Sequence, residues 1–113
     1  MNLMGTGHIG PHLYLCVIMD DESRYIIAYE FGKSDSIKLQ NILRNKLGLD
    51  GEIPSSRYVS AFFGSLMQEC IYPCRFDNVE QRKEAVINWI DFYNNDRPHS
   101  SLKYRTPREV YSE

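Results

Sequence analysis

Five basic side chains, Arg97, His99, Lys103, Arg105 and Arg108, fall within a dozen residues near the C-terminal end, interleaved with Tyr93, Tyr104 and Tyr111. Cations at this density neutralise phosphates, and aromatic rings among them stack on bases, so the first chemistry to consider is nucleic-acid binding. The competing reading is architectural. Arg97 pairs with Asp96 or with helix carbonyls, and Pro98 with His99 simply turns the chain.

The carboxylates say less. Asp20 and Asp21 are adjacent; on a strand end they point to opposite faces, so one site can receive only one of them. Two-metal phosphoryl chemistry needs several carboxylates converging on ions about 4 Å apart, and no convincing second and third are in view. A solvated β-turn explains the pair. His8 and His12, and Cys70 with Cys74, lie far apart as pairs, and C-x3-C is not the usual zinc spacing. No His and acid pattern accompanies a cysteine as nucleophile. No catalytic residue and no metal ligand is assigned on these grounds.

The frame that must position these groups is small. The 113 residues make one domain, and 42% hydrophobic with 25% charged residues is ordinary globular usage. A net charge of −2 argues against a dedicated nucleic-acid scavenger but leaves room for a local basic patch. Three cysteines and no secretion signal point to reduced thiols and a cytoplasmic location. No apolar run approaches the ~20 residues that span a bilayer.

Residues 1–12 are Gly-rich and read as a poorly ordered segment or the start of a strand. Leu13 to Met19 is a continuous apolar run, the pattern of a strand buried on both faces. Asp20 to Ser23 turns the chain, and Arg24 to Phe31 returns as a second strand. Ser34, with Asp35 behind it, caps a helix whose Leu39, Ile42, Leu43 and Leu47 recur at helical spacing, and Gly48 stops it. Ser55 or Ser56 caps a second helix carrying Val59, Phe62, Phe63 and Leu66. Glu69 to Phe76 is a loop or short strand. Asp77 or Asn78 caps a third helix with Val79, Val86, Trp89, Ile90 and Tyr93 as its stripe, its Glu80, Arg82, Lys83 and Glu84 facing water. The expected class is α+β: a β-hairpin covered by three helices, plus a short C-terminal helix begun by Thr106-Pro107. Two strands alone are marginal, so a third comes from residues 1–12, from the linker near Glu52, or from another chain.

Tyr93-Asn94, Arg97-Pro98-His99, Ser100-Ser101-Leu102 and Thr106-Pro107 together resemble the end of the catalytic core in integrase-core (retroviral-integrase-like) transposases of bacterial and archaeal insertion sequences. Two other stretches are similar: LYLCVIMDDESRYIIAYEF, with Ser23-Arg24 after an Asp, and AFFGSLMQE, from Ala61 to Glu69. The resemblance implies a ribonuclease-H-like fold, with residues 13–113 as a partial integrase core. It also implies a DNA partner and a family chemistry of strand cleavage and transfer that uses an Asp-Asp-Glu triad and Mg²⁺ or Mn²⁺.

The triad itself is missing. The first Asp belongs on the strand before Leu13, where Met1 to Thr6 hold none and Asn2 is the nearest polar stand-in. The second belongs on a strand between the first two helices, but Leu47 runs almost directly into Pro54. The Glu belongs where Ser60 stands. The matching family Asp at Asp20 or Asp21 is structural. The resemblance therefore implies a truncated and internally deleted core without catalysis. What it leaves is DNA binding by Arg97, His99, Lys103 and Arg105, and pairing with an intact transposase. Loss of a central strand predicts exposed edges, marginal stability and self-association.

Overall fold

The structure is a computed structural model that describes residues 1–33 and 37–113. Three antiparallel strands form one sheet in the order β1 (Asn2–Gly10), β2 (Leu13–Asp20), β3 (Ile26–Gly32). The N-terminal residues thus supply the third strand, one of the alternatives open from sequence. The four α-helices among the described residues are α1 (Ile37–Lys46), α2 (Arg57–Leu66), α3 (Val79–Asn95) and α4 (Pro107–Tyr111). The architecture is α+β, as the pattern required, and is consistent with the incomplete ribonuclease-H-like core that the resemblance implies. The expected cap at Ser34 and Asp35 lies outside the described residues.

The apolar run of β2 is continuous because the sheet is covered on both sides. Leu13, Leu15, Val17 and Met19 face α2 and α3, with Leu3 and Ile9 from β1 beside them. Cys16 and Ile18 face α1, where Leu39 and Leu43 close a smaller core with Met4. Ile42 and Leu47, on the same spacing, stay 39% exposed. The register slips between Ile18 and Met19, which turns both Ile27 and Ala28 toward the α1 side. A bulge of this kind is how a short strand changes which residues it buries.

Helix α2 starts at Ser56, whose side chain accepts from Tyr58 N, and buries Val59, Phe62 and Leu66. The loop expected over Glu69 to Phe76 begins only after Ile71. A π-helical turn, Met67–Ile71, carries the helix on and buries Cys70 and Ile71. Such turns are rare and redirect side chains relative to a regular helix; Glu69 sits on it. Helix α3 starts at Asn78, which accepts from Gln81 N. Val86, Trp89, Ile90 and Tyr93 form its buried face, while Val79 is 43% exposed and drops out of the stripe. Arg82 does not simply face water: its Nη1 donates to Ile9 O at 3.0 Å, tying α3 to the end of β1.

Candidate nucleic-acid interface and the groove beside it

The segment after α3 is locked to the rest of the fold by side chains, and each lock uses a residue of the basic stretch or its flanks. Asn94 is buried at the end of α3; its Oδ1 accepts from Ile26 N at 2.8 Å and its Nδ2 donates to Ile26 O at 3.1 Å. An amide so placed satisfies both backbone groups of one β3 residue, as a neighbouring strand would. Arg97 then reaches back to the π-turn: Nε donates to Glu69 Oε1 at 3.1 Å and Nη2 to Oε2 at 2.6 Å. This bidentate pairing is the geometry guanidinium and carboxylate favour. It holds the Glu69 carboxyl below its usual range, chiefly through the Arg97 hydrogen bonds. The Trp89 indole N–H lies near enough to add to that effect, though outside hydrogen-bonding geometry.

His99 sits edge-on to Tyr93, ring centroids 4.8 Å apart, and its Nε2 is buried without a partner among the described residues. Burial, helped by the nearby Arg97 and Arg24 charges, lowers its pKa to about 4. At neutral pH it is an uncharged ring, so it contributes no cation. Burial also pushes the Tyr93 hydroxyl well up. Beyond this point the chain forms a 3-10 turn at Ser100–Leu102 and crosses back, with His99 bridged to Arg105. Lys103 and Tyr104 both take positive φ, 56° and 62°, and both are exposed. Arg105 pairs with Glu113. Thr106 and Glu109 form a reciprocal capping box on α4, with Thr106 N donating to Glu109 Oε1 at 3.1 Å and Glu109 N to Thr106 Oγ1 at 3.3 Å. Tyr111 stacks on Tyr25, 4.5 Å between centroids and 3° between planes.

The four residues expected to contact DNA do not share one pocket. Arg97 and His99 line a pocket of about 220 Å³ whose floor includes Phe62 and Tyr93. Lys103 and Arg105 line no part of it. The pocket recruits Arg24, which the sequence did not single out as a binding residue. Its guanidinium lies over the Tyr58 ring, 3.6 Å from the centroid. Its position follows from the β2–β3 turn. Asp20 Oδ2 accepts from Ser23 N at 2.9 Å and from Ser23 Oγ at 2.7 Å, and Arg24 adopts φ 64°. Asp20 thus serves the turn, and Asp21 pairs with the N-terminal ammonium at 3.1 Å.

A second groove, about 300 Å³, runs between β1 and α2 and is lined by Gly5, Thr6, Gly7, Ser55, Ser60 and two apolar side chains of α2. Ser60, where the resemblance puts the family Glu, is on its wall, while Asn2, the polar stand-in for the first Asp, is not among the lining residues. None of the lining side chains is a carboxylate. The two glycines let α2 lie close: a Cβ on Gly5 would meet Val59 Cγ1 at 2.5 Å, and one on Gly7 the Phe63 ring at 2.6 Å. Divalent magnesium or manganese takes carboxylate oxygens, and this groove offers hydroxyls alone, so the residues present do not fit such an ion. Among the described residues no three His, Cys, Asp or Glu side chains converge. The connector between α1 and α2 holds Glu52, which lines a separate pocket beside Arg44.

Comparison with known proteins adds to this picture. Residues 55–107 match the model of the integrase core domain. The chain is 31% identical over 81 residues to a putative transposase, InsK, of insertion sequence element IS150 from Escherichia coli. The match covers 72% of this chain and 29% of that protein. It is 33% identical over 76 residues to an uncharacterized transposase-like protein of Haemophilus influenzae, 63% of this chain and 35% of that one. A 31.7 kDa protein of insertion element IS407 from Burkholderia multivorans is 31% identical over 64 residues, 57% of this chain and 23% of its own length. The matched stretch thus spans about a third or less of each relative. No solved structure matches the chain.

Proposed function

The chain is an integrase-core sequence related to the transposases of insertion sequences, and from that premise we propose that it is a catalytically silent form of that core, internally deleted between α1 and α2. One observation carries this reading. The groove between β1 and α2 has Gly5, Gly7 and Ser60 on its walls and no carboxylate, and the glycines admit a helix packed too close for a side chain at either position. The connector from Leu47 to Ser56 supports it, since α1 and α2 follow each other with no strand between them. The test is incubation of purified protein with duplex carrying element ends and Mg²⁺ or Mn²⁺. The expected result is no nicking; metal-dependent cleavage that persists through stringent purification overturns the reading.

The second reading is a DNA-binding module that pairs with itself or with an intact transposase. The family acts on DNA, and the pocket at Arg24 and Arg97 has two cations and no acid on its walls. Exposed Lys103 makes no ion pair among the described residues. Apolar side chains on α3 also reach solvent, Ile87 at 42% and Phe92 at 41% exposure. Binding falls steeply with salt if phosphates are the contact. Alanine at Lys103 and Arg105 weakens it uniformly across sequences. No binding even at low salt removes the reading.

A further inference from the structure

The pocket between α2, the β2–β3 turn and the segment after α3 combines features that an internal structural contact does not need. Two guanidiniums, Arg24 and Arg97, reach its wall, and none of its lining side chains is acidic. Glu69 lies behind Arg97 and takes only its Nε and Nη2. Arg24 donates from Nη1 to the Asp21 and Glu22 carbonyls. Among the described residues the remaining N–H groups of both guanidiniums have no acceptor. His99 Nε2 is buried there without a partner as well. Ser65 and Ser101 bring hydroxyls to the same wall, and Tyr58 closes it under Arg24. Of these atoms His99 Nε2 is the one buried without a partner, and buried polar atoms ordinarily find one; one small group that accepts several hydrogen bonds would lie against it and against the guanidinium N–H groups at the pocket wall.

We propose that this pocket is a phosphate-binding site, which seats one phosphate of a DNA strand between the Arg24 and Arg97 guanidiniums with the Ser101 hydroxyl at its mouth. Phosphate is the acceptor that suits the construction. It carries negative charge toward two cations and presents oxygens in several directions, where a carboxylate presents two. Arg97 is held in place for it by Glu69, and Arg24 by the turn carbonyls and the Tyr58 ring, so neither side chain must be ordered on binding. The aromatic floor of Phe62 and Tyr93 excludes water from one side, which strengthens each contact. His99 is the reporter. It faces Arg24, Arg97, Glu69 and the Tyr93 ring, and an anion arriving beside it favours its protonated form. This inference deepens the DNA-binding reading and rests on it for the source of the phosphate.

The experiment follows the His99 ring resonances by NMR against pH, with inorganic phosphate, with a duplex bearing a 5′-phosphate, and with the same duplex lacking it. Phosphate is expected to raise the His99 pKa by about one unit. Ser101→Asp puts a fixed negative charge at the mouth, at an exposed position where folding is indifferent. It should raise the His99 pKa alone and abolish the response to phosphate. A folded wild-type protein whose His99 titration is unmoved by every probe overturns the site. Duplex binding that leaves His99 unmoved and survives Ser101→Asp also overturns it while leaving the DNA-binding reading intact. A phosphate response without duplex binding supports the site and removes that reading. A response to both duplexes assigns the site to the strand backbone, and a response only to the 5′-phosphate assigns it to a strand end.

Discussion

The side-chain amide of Asn94 completes the hydrogen bonding of Ile26 as a fourth strand would, accepting from its N–H at 2.8 Å and donating to its C=O at 3.1 Å. The two residues lie 68 positions apart, so this contact closes the fold from the last long helix onto the edge of β3. Replacing Asn94 by Leu fills the space but leaves both backbone groups buried without partners. The expected cost is about 2–4 kcal/mol. Chemical denaturation measures it, and the Ile26 amide should exchange with solvent far faster than in the wild type. Unchanged stability together with a still-protected Ile26 amide contradicts the role.

The pair between Arg97 and Glu69 should contribute less. Both side chains are partly wet, 25% and 37% exposed, and water screens them. A double-mutant cycle with Glu69→Gln and Arg97→Gln is expected to give a coupling of about 0.5–1.5 kcal/mol that shrinks with added salt. A coupling near zero at low salt means that the bidentate geometry does not persist in solution.

Tyr93, Asn94, Arg97 and His99 illustrate what the sequence allowed and what it hid. Helical spacing put Tyr93 in the core and gave α2 and α3 their buried faces, because burial of an apolar stripe is a local, periodic demand. The continuous run of β2 likewise announced a strand covered on both sides. The partners of Asn94 and Arg97 were invisible, since Ile26 and Glu69 are distant in sequence and no local rule pairs them. Glu69 was further concealed by the π-turn, which propensity does not announce. The basic stretch looked like one patch because its charges are neighbours along the chain; in space the fold turns Arg97 and His99 inward and leaves Lys103 outside. The glycines of β1 left poor order and the start of a strand both open, because Gly5 and Gly7 are close-packing positions under α2 that no local pattern reveals.

Acid should destabilise the fold through His99. Its unfolded ring takes a proton near pH 6.5 and its folded ring only near 4. Between those values the unfolded state binds more protons, so stability falls as pH drops through that window and is fully present above it. Solvent reaches part of the ring and screens the effect, so the loss is about 1–2 kcal/mol. His99→Gln is expected to flatten the pH 6.5 to 4 segment of the stability curve and to leave the carboxylate contribution in place. Glu69 and Glu109 both have depressed folded pKa values, so what they contribute is lost as pH drops through the folded values. A curve for His99→Gln that overlays the wild type refutes the assignment.

The groove beside α2 makes the last prediction, and it bears on how tightly the helix is held to the sheet. A Cβ at Gly5 would lie 2.5 Å from Val59 Cγ1. Val59 is β-branched, buried and held in the helix in a single preferred rotamer, so it cannot swing aside. Gly5→Ala is therefore expected to destabilise by about 1–3 kcal/mol, the usual range for overpacking. Val59→Ala alone also destabilises, by removing buried methyl groups. The double variant should be more stable than the sum of the two losses, because the alanine methyl on β1 occupies space that Val59 vacates. Additive losses would mean that α2 moves away from β1 freely. In that case Gly5→Asp with Ser60→Glu would place two carboxylates across an opened groove. If instead the coupling is strong, the same pair of carboxylates forces α2 off the sheet, and the variant unfolds before it binds a metal ion.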